Sequence, residues 1–364
     1  MNVQAQHLVS KLTLYAEKGP IDVKGFITEF VLRLICRTSL GLKPEDQEMI
    51  DTDYAKAIDE ISRVYNERGF NVWLYPSFMY DLSALKRKEQ ELITRIENII
   101  NPVVIQKRRS DLKGKYITND DASTDSVRGL SGKFKPLLDL LLHLADEEQI
   151  FSDTEIREHL DTFVLAANDT TSAVLRNTLL MLGTYSDVQE RLYKEYYRVK
   201  EVFHNEDLGK HDLTKLVYSE AVIKEVLRLH PPVPFVARDL QSDVVLREYL
   251  ISAKYTLRAG NTCALSLYDL NRHSSWGPDA KEFNPDRWLN PDTLPQNPYA
   301  FAGFSIGKRN CIGGKKYAMM TLKTSLAHIV RKFHISGDIT DLKWKIEVVL
   351  KPTTPALVTL TLRS

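Results

Sequence analysis

The residues of this 364-residue chain that could do chemistry fall into three sets. Cys311, one of only three cysteines, lies in the stretch from Phe304 to Gly314, bounded by Gly307, Gly313 and Gly314, and a helical pattern begins just after it. A thiol on a glycine-bounded bend can approach a flat partner that ordinary side chains would obstruct, and the backbone N–H groups of a helix start favour thiolate over thiol. That suits a metal ligand or a nucleophile, although a buried cysteine also serves as a small hydrophobe. The second set is Asp169 and Thr170, preceded by Ala166, Ala167 and Asn168 in the middle of a long apolar helical stretch. A carboxylate there needs partners, and an acid beside an alcohol can move protons. A mid-helix threonine also commonly bonds back to the carbonyl four residues earlier. The third set is Glu225 and Arg228, three residues apart on a helix, with Arg287 downstream. Alone, an i,i+3 pair is worth only ~0.2–0.5 kcal/mol.

The elements that must position these residues are mostly helical. Apolar spacing of the 3.6-residue kind marks helices over 2–18, 23–41, 46–68, 86–109 and 134–147, with Gly19-Pro20 as a turn. Ile27, Phe30, Val31, Leu34 and Ile35 form one stripe, beside which Cys36 reads as core filling. Ser152 and Glu155 make a capping box that opens a helix running to about Tyr185. Helices follow at 186–203 and 218–230, the latter stopped by Pro231-Pro232, and another from Gly313 to about Phe333. Short strands are expected at 244–246, 256–257, 345–350 and 356–362. Residues 70–85, dense in aromatics around Pro76, read as an irregular segment on an apolar surface. Residues 110–133, polar and poor in apolar side chains, read as a flexible surface loop within one domain.

Composition narrows the function classes. A net charge of +1 gives no reason to expect nucleic acid as a partner. Cys36, Cys263 and Cys311 are odd in number and far apart, which argues against a disulfide framework or a structural zinc site and for a reducing compartment. No apolar run approaches the ~18 residues of a membrane span.

The spacing Phe304-x-x-Gly307-x-Arg309-x-Cys311-x-Gly313 resembles the heme-binding loop of the cytochrome P450 family, with every fixed position filled. Asp169-Thr170, Glu225/Arg228, Arg287 and Cys311 occur in that family's order, so the resemblance covers essentially the whole chain. It implies a mainly α fold with a minor β region, the cytochrome P450 fold lacking its N-terminal part, as a single domain over 1–364. By this resemblance the anchor, hinge and first helices of full-length animal members are expected to be absent, with Met1 entering partway through the fold.

By the same resemblance, Cys311 is the axial ligand of the iron of heme b, because a Cys thiolate holds the heme in this family. Phe304 and Gly313 belong to the cofactor loop, and Arg309 and Arg238 match positions that bind the propionates, where guanidinium suits carboxylate. Asp169 and Thr170 occupy the acid and alcohol positions of the oxygen-activation motif. Ala166 and Ala167 also face the cofactor. Ala167 replaces a usual Gly, narrowing the oxygen groove. Glu225, Arg228 and Arg287 form a buried cluster that fixes the loop, with Trp288 standing where Phe is usual. Val233, Phe235 and the turn around Pro355 match positions facing substrate.

The resemblance is strongest to the animal branch called family 4, many of whose members hydroxylate fatty acids. It implies a monooxygenase that inserts one oxygen atom from O2 into an apolar organic substrate, fatty acid-like or xenobiotic. NADPH–cytochrome P450 reductase supplies the electrons, with cytochrome b5 as a second candidate donor, and Lys308, Lys315, Lys316 and Lys323 cluster on the docking side. Residues 70–85 would touch the membrane surface, on the cytoplasmic face of the endoplasmic reticulum. A heme-thiolate isomerase or dehydratase, which needs no reductase and often lacks the acid–alcohol pair, is the alternative enzyme. An inactive truncated fragment or a non-catalytic binding protein is the alternative of another class. Many family 4 members bond heme covalently through a Glu at the position of Ala166. An alanine cannot form that bond, so acid–acetone extraction should strip all the heme from the polypeptide.

Overall fold

The computed structural model describes residues 1–42, 53–99, 104–106, 108–112, 135–203, 207–246, 255–312, 314–347 and 349–363. Of the loop expected over 110–133, only 110–112 are among them, and they are helical. The described residues form two compact units: residues 1, 3–12 and 24–172, and residues 2, 13–23 and 173–364.

The first unit contains most of α1 (Asn2–Thr13), then α2 (Lys24–Thr38), α3 (Asp53–Phe70), α4 (Ser77–Asp81), α5 (Ala84–Ile99), α6 (Leu137–Glu148) and the first part of α7 (Asp153–Thr184). The stripe on α2 is its buried face: Ile27, Phe30, Val31, Leu34 and Ile35 are all in the core, and Cys36 fills space among them. The capping box is present, with Ser152 Oγ accepting from the Glu155 N–H at 3.2 Å and Glu155 Oε2 accepting from the Ser152 N–H at 2.8 Å. From this cap α7 runs 32 residues, about 48 Å.

Several boundaries differ from the sequence expectation. α1 ends at Thr13 rather than at 18, because Glu17 turns with φ +62° and its N–H goes to Leu360 O at 2.9 Å. The stretch 70–85 is more regular than expected. Asn71 Oδ1 accepts from the Trp73 N–H at 3.2 Å and starts a 3-10 turn over Val72–Leu74, and Pro76 starts α4. Next, Ser83 Oγ accepts from the Lys86 N–H at 3.1 Å and opens α5.

The second unit holds the remainder of α7, followed by α8 (Ser186–Phe203), α9 (Lys210–Lys215), α10 (Val217–Leu229), α11 (Leu267–Leu270) and α12 (Gly314–Lys332). Its sheets are small. β1 (Ile21–Asp22) and β6 (Phe333–Ser336) flank β9 (Leu357–Leu362), both antiparallel to it. β2 (Phe235–Asp239) pairs with β5 (Thr262–Ser266), and β3 (Val244–Leu246) with β4 (Tyr255–Leu257). The single strand expected at 345–350 is instead a hairpin of β7 (Trp344–Ile346) and β8 (Leu350–Pro352), closed by Glu347 N–H to Val349 O at 3.2 Å.

Two buried contacts tie helix to sheet in this unit. The Gln189 carboxamide donates to Leu182 O and Ile335 O, both at 2.8 Å, and accepts from the Ile335 N–H at 2.7 Å. Gly183 lies so close to the chain after β6 that a Cβ there would stand 2.6 Å from the Gly337 nitrogen.

α10 ends at His230, whose N–H caps Val226 O and whose ring packs 4.4 Å from Trp344 before Pro231 stops the helix. Burial pushes the His230 imidazole down to about 3, with Arg272 and Arg228 acting the same way. Below its ordinary value of 6.5, the unfolded chain takes up a proton that the folded chain refuses until about 3. This contribution is complete above pH 6.5 and is lost as pH falls toward 3. Between pH 7 and pH 5 the expected loss is about 2 kcal/mol, and denaturant midpoints should show a smaller loss in His230→Gln.

Candidate active site

The Cys311 loop is a hydrogen-bonded turn on one side and a helix start on the other. Ser305 N–H bonds Ala302 O at 2.9 Å, and Cys311 N–H bonds Phe304 O at 3.0 Å. Gly307 has φ +88°, a conformation that favours glycine, and Ser305 sits in the same left-handed region at φ +59°. At the start of α12, a Cβ on Gly314 would stand 2.2 Å from Cys311 Sγ and 3.1 Å from the Phe304 ring. Only glycine leaves room for the thiol there. Gly313 lies outside the described residues.

Glu225, Arg228 and Arg287 are brought together, at 0%, 0% and 3% exposure. Glu225 accepts five hydrogen bonds. Arg228 gives two, at 2.7 and 2.9 Å, Arg287 Nε and the Asn284 N–H each give one at 3.0 Å, and the Trp288 indole gives one at 2.9 Å. Arg228 spends its other donors on the carbonyls of Asn271, Ala280 and Glu282. Arg287 completes its set on Trp276 O and on Asp279, whose carboxylate it meets at 2.8 Å. The Asn284 amide, and then the Arg287 guanidinium, hold the Asp279 carboxyl below its usual range.

Sequence reasoning missed Asp279, the second carboxylate of this cluster, because a single Asp in a turn carries no signal. It also left Asn271 unassigned. Asn271 is fully buried. Its carbonyl accepts from Arg228 at 2.9 Å and its side-chain oxygen accepts from the Ala302 N–H at 3.3 Å. Ala302 O in turn holds Ser305, so a hydrogen-bonded route leads from Arg228 to the cysteine loop.

Arg238 lies on β2, opposite Cys263, and its guanidinium reaches Ala237 O at 2.8 Å and Arg309 O at 3.2 Å. Neither Arg238 nor Arg309 pairs with a carboxylate among the described residues. Apolar side chains nearby in sequence are uncovered: Ile312 is 98% exposed, Phe235 44% and Val233 36%. A reachable thiol, two guanidiniums without acids and bare apolar side chains fit a flat apolar group that carries carboxylates. Lys308, Lys315 and Lys316 are exposed near the loop. Lys323 does not belong with them. It is 5% exposed and donates to Leu213 O at 3.0 Å and Glu220 Oε2 at 2.7 Å, so it is an internal ion pair.

On α7, within the first unit, Ala166 is exposed, and Ala167, Asp169 and Thr170 are partly exposed. Thr170 Oγ1 donates to Ala166 O at 2.8 Å, the back-bond open to any mid-helix threonine. Ser62 Oγ of α3 donates to Asp169 Oδ2 at 3.4 Å. Two turns earlier, burial raises the Asp161 carboxyl to about 6 against the pull of Arg157. Nothing in the spacing marked Asp161.

The family model described as cytochrome P450 matches residues 1–360. The chain belongs to the cytochrome P450 family. Among curated relatives, it is 31% identical over 358 residues to cytochrome P450 4c21 of Blattella germanica, covering 97% of this chain and 68% of that protein. It is 32% identical to the human cytochrome P450 4V2 over 97% of this chain and 66% of that protein, and 33% identical to the mouse 4V2 over 93% and 62%. The chain thus spans about two thirds of the length of these relatives. They match the family 4-like branch, and the cofactor here is noncovalently bound heme b.

In this member of the family, Trp288 adds an N–H donor to Glu225 that a phenylalanine could not supply. Trp288→Phe keeps the ring and removes that bond. A hydrogen bond to a charged group contributes about 1.5–3 kcal/mol. Because Glu225 keeps four other donors, urea unfolding should show a loss near the lower end, about 1.5 kcal/mol.

Proposed function

We propose that this chain forms a heme-thiolate monooxygenase that inserts one oxygen atom from O2 into an apolar organic substrate, fatty acid-like or xenobiotic. The observation that carries this reading is the Cys311 thiol, whose backbone N–H is held by the Phe304 carbonyl and whose sulfur is given room by Gly314. When bound, heme supplies the redox chemistry by which dioxygen is reduced and one of its atoms passes to substrate.

Each residue then has a task. Cys311 would hold the heme iron through its sulfur. Arg238 and Arg309 would hold the propionates, where charge-assisted bonds are stronger than the carbonyl contacts that Arg238 makes now. Phe304 and Gly313 belong to the loop around the thiolate. Glu225, Arg228 and Arg287 keep that loop in place through Asn271 and Ala302.

By their positions in the oxygen-activation motif, Ala166 and Ala167 would face the cofactor. Thr170 Oγ1 donates to Ala166 O at 2.8 Å, and turning the hydroxyl away from that carbonyl would free it to donate elsewhere. Asp169 is adjacent in sequence, and neighbouring helical positions do not face each other. Proton transfer from Asp169 to Thr170 therefore runs through water rather than directly. Val233 and Phe235 meet the substrate.

The electron donor is NADPH–cytochrome P450 reductase, with cytochrome b5 as a second donor, and exposed Lys308, Lys315 and Lys316 suit an acidic partner. Phe70, Trp73, Phe78 and Leu82 are 66%, 76%, 66% and 80% exposed within one short segment. Such bare aromatics suit a membrane interface, which supports attachment through 70–85 to the cytoplasmic face of the endoplasmic reticulum. No described helix is long and apolar enough to cross a membrane.

Purified protein, loaded with heme, reduced and exposed to carbon monoxide, should show the red-shifted Soret band of thiolate ligation. Cys311→Ser should lose it. Heme uptake with an unshifted band in the unmodified chain would remove Cys311 as the ligand.

A further inference from the structure

A cleft of about 460 Å³ in the second unit contains none of the residues given a task in the proposed reaction. Arg191, Lys194 and Arg198 of α8 line one wall, and Lys215 of α9 adds a fourth cation. Positions 191, 194 and 198 are three and four residues apart, so they share one helix face. The whole chain carries a net charge of only +1, so four cations around one cleft are a local concentration.

Glu195 is the carboxylate that lines this cleft among the described residues, and its oxygens are already engaged. They accept from the Tyr218 N–H at 2.6 Å, from the Ser219 N–H at 2.9 Å and from the Ser219 hydroxyl. Arg191 is engaged as well. Its guanidinium lies 4.1 Å from the Tyr218 ring and donates to Asp286 Oδ2 at 2.7 Å. Lys194 and Arg198, by contrast, are exposed and have no ion pair with a described residue. Like charges one helical turn apart repel. A dianion between them would relieve both, and a guanidinium fork suits phosphate oxygens.

The rest of the lining is apolar. Val199 and Tyr218 are buried, whereas Val217 is 57% exposed and Leu289 42%. The volume falls within the ~300–1,000 Å³ of small-molecule sites. We propose that this cleft binds a small soluble phosphomonoester, its phosphate between Lys194 and Arg198 and its organic part against Val217 and Leu289. Such a phosphate carries a charge of about −1.5 to −2 at pH 7, enough to answer both cations, where a carboxylate answers one.

Titration calorimetry of the full chain with phenyl phosphate, benzoate and inorganic phosphate tests this. Phenyl phosphate should bind saturably. It should bind roughly tenfold more tightly than benzoate, which brings a single charge, and than inorganic phosphate, which brings no apolar part. Arg198→Gln should weaken phenyl phosphate roughly tenfold and Lys194→Gln several-fold. Both side chains are exposed, so neither substitution disturbs the core. No saturation by about 10 mM phenyl phosphate, equal affinity for benzoate or inorganic phosphate, or an affinity unchanged by Arg198→Gln would overturn the proposal.

Discussion

The interaction on which the second unit depends is the burial of the Glu225 carboxylate. A charge taken fully out of water is tolerated only when paired and hydrogen-bonded. Here the donors come from α10 itself, from the turn at Asn284 and from the segment carrying Arg287 and Trp288. Two guanidiniums face two carboxylates, Glu225 and Asp279, so the cluster is balanced in charge. Such a cluster contributes little net stability compared with an apolar core of the same volume, but losing one member strands a charge. Its effect is therefore on arrangement: it leaves the chain between Asn271 and Trp288 one way to lie.

That arrangement reaches the cysteine by short steps. Arg228 holds the Asn271 carbonyl, the Asn271 side chain holds Ala302, and Ala302 holds Ser305 at the start of the loop. Beyond this point glycine chemistry takes over. Gly307 supplies a positive φ, and Gly314 leaves the space that Cys311 Sγ occupies. A thiol with this support is held by backbone geometry, and its surroundings, cationic at Arg238 and Arg309 and apolar at Ile312, agree with an amphipathic planar cofactor.

The first unit is organised differently. Its α2 stripe and the capped start of α7 follow from local pattern, and its most exposed apolar side chains are concentrated in one segment that includes Trp73, Phe78 and Leu82. In a soluble setting such a patch is costly, and it marks a surface meant to be covered. The polar residues of α7 are less committed: Thr170 is satisfied within its own helix, by the Ala166 carbonyl.

Local physics made much of this legible in the sequence. Helices with a clean apolar stripe, the capping box at Ser152, the proline stop after His230 and the glycines around Cys311 depend on neighbours within a few residues, so they could be read directly. Tertiary structure decided the rest. The end of α1 is set by Leu360, far away in the chain, and the hairpin of β7 and β8 by pairing across a turn. Asp279 and Asn271 became members of the Glu225 network only through segments brought together by folding, and Lys323, which reads as a surface cation, is held inside by Glu220. A single polar residue carries no periodicity, so its role is set by whichever partners the fold places beside it.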